Sequence, residues 1–372
     1  MNKLIYTVAV IMYFLASILA QTFGQEPSRK TKTLTLKDYD INQFISSSDS
    51  TPENIMKLDN NREIILACVK GKTREQLQTE GIEFVESQIK LLKTWRILQE
   101  DNDTLKTSFP ILGENEINRL RNYSAAVVPT ISQQLRPDIL RFIEALDSIG
   151  RADNVYTIFF SYVLDDLVWD RFQEKGLLEE RIITAETPFW AGEIWAIYPP
   201  RGFSMGTNSI SDQGIEFKVN WTKKAIPQMM PFVADWKNFS RLFEDYCKLG
   251  RVEDKLAKAV FAPFDLFDNS GQFTVPVIIE TENNLLYKIS SNISEMVSSA
   301  VPNVLDLVEL TKTFNFRDNR QTLIIIYHEL MWDLMDQWAN EGLLKKPFAF
   351  TNPEKADPSD IGDLVFIVRT PN

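Results

Sequence analysis

The chain has 372 residues, of which 44% are hydrophobic and 24% charged, and a net charge of −11. That length allows two or three domains, and the composition excludes a disordered or collagen-like chain. The acidic balance repels phosphate backbones, so no nucleic-acid partner is expected. Two cysteines exclude a disulfide scaffold and a cysteine-built zinc domain, and the single histidine makes any histidine-centred chemistry depend on His328. No metal site and no cofactor are implied.

Residues 1–24 open with Lys3 and continue as an apolar run from Leu4 to Ala20. This is the pattern of a secretory signal, with Ala20 or Gly24 supplying the small residue at the cut. Cleavage would take the net charge from −11 to −12, because Lys3 is the only charged residue removed. The alternative is an uncleaved anchor, since the run lies at the lower edge of a membrane span. Either way the folded part is expected outside the cytoplasm, secreted or periplasmic, and a membrane is involved only if the segment stays. Residues 25–50 are polar and read as a tether with one short strand at 32–36.

From residue 51 apolar residues recur at three- and four-residue spacing over 60–70, 73–79 and 82–95, with Gly71 and Gly81 as stops. Strands follow at 96–98 and 104–111 around Asp101-Asn102-Asp103, a turn-prone triplet. Helices are predicted over 115–135, 137–148 and 155–175, then a strand at 194–198 stopped by Pro199-Pro200. Further along come strands around Asn269-Ser270-Gly271, helices over 282–299, 302–311 and 320–340, and a closing strand at 364–369.

These elements repeat. Phe109-Pro110-Ile111-Leu112 matches Val275-Pro276-Val277-Ile278, and the stretch from Leu135 to Leu140 matches Ala300 to Leu305. Gly176-Leu177-Leu178 matches Gly342-Leu343-Leu344, with 66 residues from proline to glycine in both copies. Gly192–Ile197 matches Gly362–Ile367, and Cys68 matches Cys247. The copies span 51–205 and 206–372. The fold class expected is mainly α with short β-hairpins (α+β), in two tandem related units.

Within 58–112 the order is helix, short helix, longer helix, β-hairpin. This resembles a winged helix-turn-helix domain, with 73–77 as the first helix of the turn, 82–95 as the recognition helix and 98–107 as the wing. In that family the recognition helix reads the major groove through basic and polar side chains. Here Glu83 and Glu86 oppose Lys90 and Lys93, and the segment holds 8 Lys/Arg against 9 Asp/Glu. The resemblance therefore implies the shape, with a protein-binding use.

Candidate chemistry is sparse. His328-Glu329 sits on a predicted helix, but a zinc protease needs a second histidine at 332, which is Trp. Asp165 and Asp166 lie on the corresponding first-copy helix, where paired carboxylates can do acid–base work if their environments differ. Cys68 and Cys247 could form a disulfide outside the cytoplasm or be small buried hydrophobes. Asn122, Asn220, Asn238 and Asn292 open glycosylation triplets. The densest aromatic stretch runs from Phe189 to Arg201. On alternation Ile194, Ala196 and Tyr198 share one strand face and Trp195 and Ile197 the other. Trp190, Trp195, Tyr198 and Arg201 are candidates for a recognition surface, with Trp190 as its anchor; core packing is the other reading. The function expected is non-enzymatic binding of a protein or small ligand. The alternatives are an acid–base or metal-assisted hydrolase using Asp165, Asp166, His328 and Glu329, and a membrane-anchored winged-helix regulator.

Overall fold

The computed structural model describes residues 38–47, 51–185, 188–201, 205–212, 214–222, 236–352, 355 and 364–369. The signal segment at 1–24 and the strand expected at 32–36 lie outside the described residues. Those described are mostly helical with three small sheets, the expected mixed α+β class. Among them no helix is long and apolar enough to cross a membrane.

The tether expected up to residue 50 is part of the fold from its second half. Strand β1 (Asp40–Ser47) pairs antiparallel with β5 (Trp190–Tyr198). Polar residues dominate β1, but Tyr39 and Phe44 are buried, and Phe44 packs on the Trp169 ring at 4.6 Å. With Ile41 and Ile45 packed against the small core, these anchors fix a strand whose composition reads as linker.

Helices α1 (Pro52–Lys57) and α2 (Asn61–Ala67) come next, then β2 (Lys72–Thr73) and α3 (Arg74–Thr79). Thr73 caps α3, its hydroxyl accepting from the Gln76 N–H while the Gln76 side chain accepts from the Thr73 N–H. Helix α4 (Glu86–Thr94) starts later than the expected residue 82. Its start is fixed where the Val85 N–H donates to the Gln88 side chain, and residues 82–85 stay non-helical. The hairpin β3 (Leu98–Asp101) and β4 (Thr104–Thr107) turns through Asn102 and Asp103, both at positive φ. These residue types tolerate that conformation. Strand β2 completes the sheet in the order β2-β4-β3.

Helix α5 (Glu114–Ser148) is a single 35-residue helix where a break at Pro137 was expected. Proline costs a helix about 3 kcal/mol. Val128, Ile131, Leu135, Ile139, Phe142 and Leu146 are buried at helical spacing on both sides of it. At roughly 1.5–3 kcal/mol per buried side chain, that stripe outweighs the break. The next helix begins as α6 (Val155–Thr157), widens into a π-helix over Ile158–Leu167, and ends as α7 (Val168–Glu174). Helices of π type are rare and occur mostly as single turns; this one buries eight of its ten residues.

The second half contributes the hairpin β6 (Met205–Asp212) and β7 (Ile215–Thr222), α8 (Trp236–Leu249) and α9 (Lys255–Phe261). Strand β8 (Val277–Ile279), α10 (Leu285–Val304), α11 (Leu307–Phe314), α12 (Asn319–Asn340), α13 (Phe348–Thr351) and β9 (Leu364–Val368) follow. The sheet order is β6-β7-β9-β8, with β8 parallel to β9.

One large apolar core lies among α5, the helix running through the π segment, α10 and α12. Two smaller cores flank it, one under β1–β4 and one under β7, β9, α8 and α9. Strands β5 and β9 each stand between the large core and one small core. Ala196 and Tyr198 face the large core, as Val365 and Ile367 do; Ile197 and Phe366 face the small ones. The Ile197 N–H donates to the Pro110 carbonyl at 3.0 Å, and the Phe366 N–H to the Pro276 carbonyl at 2.9 Å. Leu177 and Leu178 N–H close on the Phe172 carbonyl, as Leu343 and Leu344 close on Trp338. By these carbonyl contacts Ile197 corresponds to Phe366, whereas the sequence match pairs it with Ile367.

Candidate functional site

The strand β5 decides which aromatic residues meet solvent. Its pairing with β1 skips Trp195: Asn42 faces Ala196 and Gln43 faces Ile194. An extra residue in one strand is a β-bulge, and it reverses the side-chain alternation beyond it. Gly192 lies at φ 92°, where an added Cβ would come within 2.6 Å of the Phe44 carbonyl oxygen. The unbroken alternation expected from the sequence therefore does not hold, and Trp190 falls on the same side as Ile197.

Trp190 is not the exposed anchor expected. It is 7% exposed, and its indole N–H donates to the Trp95 carbonyl at 3.1 Å. The exposed aromatic is its neighbour Phe189, stacked on Trp95 with ring centres 5.1 Å apart. Tyr198 is buried too. Trp195 marks the bulge, and nothing further is described of its side chain.

Arg201 leaves β5 after the two prolines and reaches α12. Its Nε donates to Glu329 Oε2 at 2.9 Å, Nη2 to the Glu329 carbonyl at 3.1 Å, and Nη1 to Asp333 Oδ1 at 2.8 Å. Arg121 on α5 donates to the same Glu329 oxygen at 2.7 Å and to the Pro199 carbonyl at 3.0 Å. Glu329 is 1% exposed. Burial pushes its carboxyl up, but His328 beside it and the two guanidinium groups hold it far below the usual range. Tyr198 Oη lies 2.9 Å from His328 Nδ1. Burial and the Glu329 charge push that phenol well above its ordinary value.

The adjacent carboxylates Asp165 and Asp166 sit in the π segment and part company. Asp165 accepts from the Trp169 indole at 3.3 Å, and burial pushes it up to about 6 against the pull of His328. Asp166 turns to the sheet, where Lys218 Nζ lies 2.9 Å from it and 2.8 Å from Glu216. Arg369, just past β9, bridges Asp166, Glu216 and Glu280, and the Tyr162 hydroxyl donates to Glu280 at 3.0 Å. Burial opposes both ionised forms, yet Lys218 and Arg369 hold Glu216 down at about 2, and Asp166 and Glu216 raise Lys218. Asp170, one turn on, is pushed up to about 6 by burial and by Asp166.

The four acid–base candidates thus fall into two linked clusters. The field of His328 reaches Asp165, and that of Lys218 reaches both aspartates. Arg121, Glu216, Lys218, Glu280 and Arg369 had no signal in the sequence. Among the described residues no group of three or more His, Cys, Asp or Glu could hold a metal ion.

The disulfide alternative fails. Cys68 is buried in the small core under β1–β4, Cys247 is exposed on α8, and neither is bonded to the other. Burial pushes the Cys68 thiol up to about 11. Of the glycosylation triplets, Asn220 and Asn238 are buried, whereas Asn122 and Asn292 are exposed.

Over 58–112 three of the eight cations sit in surface ion pairs. Arg74 pairs with Glu86 at 2.9 Å and with Glu100 at 2.5 Å, Lys93 also binds Glu100, and Lys72 binds Glu80. Hydrogen bonds from Arg74 and Lys93 hold Glu100 at about 2. Beside α4 lies a groove of about 760 Å³ lined by Asn60, Glu63, Gln78, residues 81–85 and Gln88. Comparison of the chain with protein-family models, with curated proteins and with solved structures found no match.

Proposed function

We propose that the chain is a non-enzymatic binding protein acting outside the cytoplasm, with the segment 58–112 as a winged-helix-like recognition module. One observation carries this reading. Two of the four side chains nominated for catalysis are spent on ion pairs: Glu329 is gripped by two arginines at 2.7 and 2.9 Å, and Asp166 lies between Lys218 and Arg369. A general base must be free to take a proton. Glu329 is held ionised and fully engaged, which suits a clasp between α5, α12 and the end of β5. The module reading is supported by the order α2, β2, α3, α4, β3, β4 with sheet order β2-β4-β3. The internal pairing of Arg74, Lys72 and Lys93 speaks for a protein partner over a phosphate backbone. The location outside the cytoplasm rests on residues 1–24. Tandem origin of the two halves is supported by the matching contacts of Pro110 and Pro276 and of Phe172 and Trp338.

A hydrolase is the second reading, favoured by Asp165, whose carboxyl at about 6 lies in the field of the sole histidine. A panel of ester, amide, phosphate and glycoside substrates separates the two. The binding reading expects no turnover above buffer. Hydrolysis that disappears in both Asp165→Asn and His328→Ala would overturn it.

A further inference from the structure

The groove beside α4 is preformed and one-sided in charge. Its wall over residues 81–85 is pinned at several points. The Ile82 N–H donates to the Leu77 carbonyl at 2.9 Å, and the Asn60 amide to the Glu83 carbonyl at 2.5 Å. Gln88 accepts from the Val85 N–H and donates to Asn60, each at 2.9 Å. A wall held this way costs little to order on binding. The charged residues lining the groove are Glu63 and Glu83; no lysine or arginine lines it. Glu83 is exposed and makes no ion pair among the described residues, unlike Glu80, Glu86 and Glu100 around it. Next to it Val85 is 57% exposed, and Ile82 and Phe84 are half-buried. Amides from Asn60, Gln78 and Gln88 complete the lining. A volume of about 760 Å³ is in the size class of pockets that enclose small ligands.

We propose that this groove binds a short, extended segment of a partner protein that carries a lysine or arginine beside an aliphatic residue. The cation meets Glu83, the aliphatic side chain covers Val85, and the Gln78 amide serves the backbone of the segment. The inference rests on the binding reading above and names its partner class. An anionic or nucleic-acid ligand would meet carboxylates of its own sign. A purely apolar segment would leave Glu83 without a counter-charge.

The test uses the full exported chain and a short fluorescein-labelled peptide alternating lysine and leucine, read by anisotropy at two salt concentrations. Two further peptides replace lysine with glutamate or leucine with serine. The lysine–leucine peptide is expected to bind, and to bind more weakly in higher salt. Glu83→Lys is expected to weaken it by about tenfold or more and Val85→Ser by about threefold, in line with loss of one charged and one apolar contact. Both positions are exposed, so the fold should survive, which a thermal melt verifies. Glu75→Lys, on the exposed face of α3 outside the groove, should change nothing. Equal weakening by Glu75→Lys would reduce the effect to general attraction by an acidic protein and overturn the proposal. So would equal binding of the glutamate–leucine peptide, or unchanged binding by Glu83→Lys. If deleting 27–37, which carries Arg29, Lys30, Lys32 and Lys37, raises peptide affinity tenfold, the chain's own basic segment is the occupant and the partner proposal falls. Hydrolase activity leaves all these outcomes unaltered, so the two readings fail separately.

Discussion

Arg201 and Glu329 are joined at three points: the guanidinium meets the carboxylate through Nε at 2.9 Å and Nη2 at 2.8 Å, and the Glu329 backbone carbonyl at 3.1 Å. On sequence grounds the two belonged to rival functions, Arg201 to a recognition surface and Glu329 to acid–base chemistry. On the proposed binding reading, their contact gives both a structural role instead. The arginine is turned inward from the strand exit, and the carboxylate is too well paired to act as a base. What they build instead is a buried clasp that ties the end of β5 to α12, with Arg121 bringing in α5.

Removing one member of such a pair leaves the other charge buried and alone. Glu329→Ala is expected to lower stability by about 3–5 kcal/mol. Glu83→Ala, on an exposed loop, should stay within about 0.5 kcal/mol of the parent. Chemical denaturation of the two variants measures the contrast.

Trp190→Ala should behave as a core deletion and cost about 3–5 kcal/mol. The indole is buried and its N–H bonds the Trp95 carbonyl, so a cavity and an orphaned acceptor both result. A melting temperature equal to that of the parent would show that the residue lies on the surface after all.

Stability should fall as pH rises from about 4 to above 6, through Asp165 and Asp170. Both carboxyls are raised in the fold to about 6, chiefly by burial, so the native state holds more protons than the unfolded chain across that window. A group raised on folding stabilises below its unfolded pKa and loses that contribution as pH passes the folded value. Glu216 and Glu329, lowered in the fold, act oppositely, and their contribution is lost as pH falls below about 4. The double variant Asp165→Asn with Asp170→Asn should flatten the slope between pH 4 and 6 by about 1–3 kcal/mol in total, measured by melts across pH.

The two thiols should react at different times. Cys247 is exposed and should alkylate in the native protein; Cys68 is buried with its thiol at about 11 and should alkylate only after denaturation. Intact mass after iodoacetamide distinguishes one addition from two. A native protein that takes none before reduction and two after it would reinstate the disulfide.

The sequence carried the helices well. Three- and four-residue spacing placed α3 and α12 within a residue, and the apolar run at 364–369 placed β9 within one. It failed where the environment is not local. Strand β1 is held in a polar stretch by Tyr39 and Phe44 with Ile41 and Ile45 packed against the small core, and α5 runs through Pro137 because its buried stripe continues on both sides. The bulge at Trp195 is invisible to alternation, and it puts Trp190 on the Ile197 side of the strand, where the indole is buried in the small core. Glu216 and Lys218 alternate with Ile215, Phe217 and Val219 as on any half-exposed strand. What buries that charged face is the π segment with Asp166, about fifty residues earlier in the chain. His328, Glu329, Tyr198 and Arg201 were each legible as unusual residues; their convergence was not, because it depends on how α12 packs against the exit of β5.

The buried charges around Glu329 act as a clasp only if they are energetically coupled. A double-mutant cycle between Arg201→Gln and Glu329→Gln, followed by denaturant unfolding, reads this directly. The clasp predicts that each single change destabilises, and that their coupling is about 1–3 kcal/mol, the range for residues in one ion-pair network. Single variants that unfold like the parent, with coupling near zero, would contradict it and return both residues to the list of functional groups.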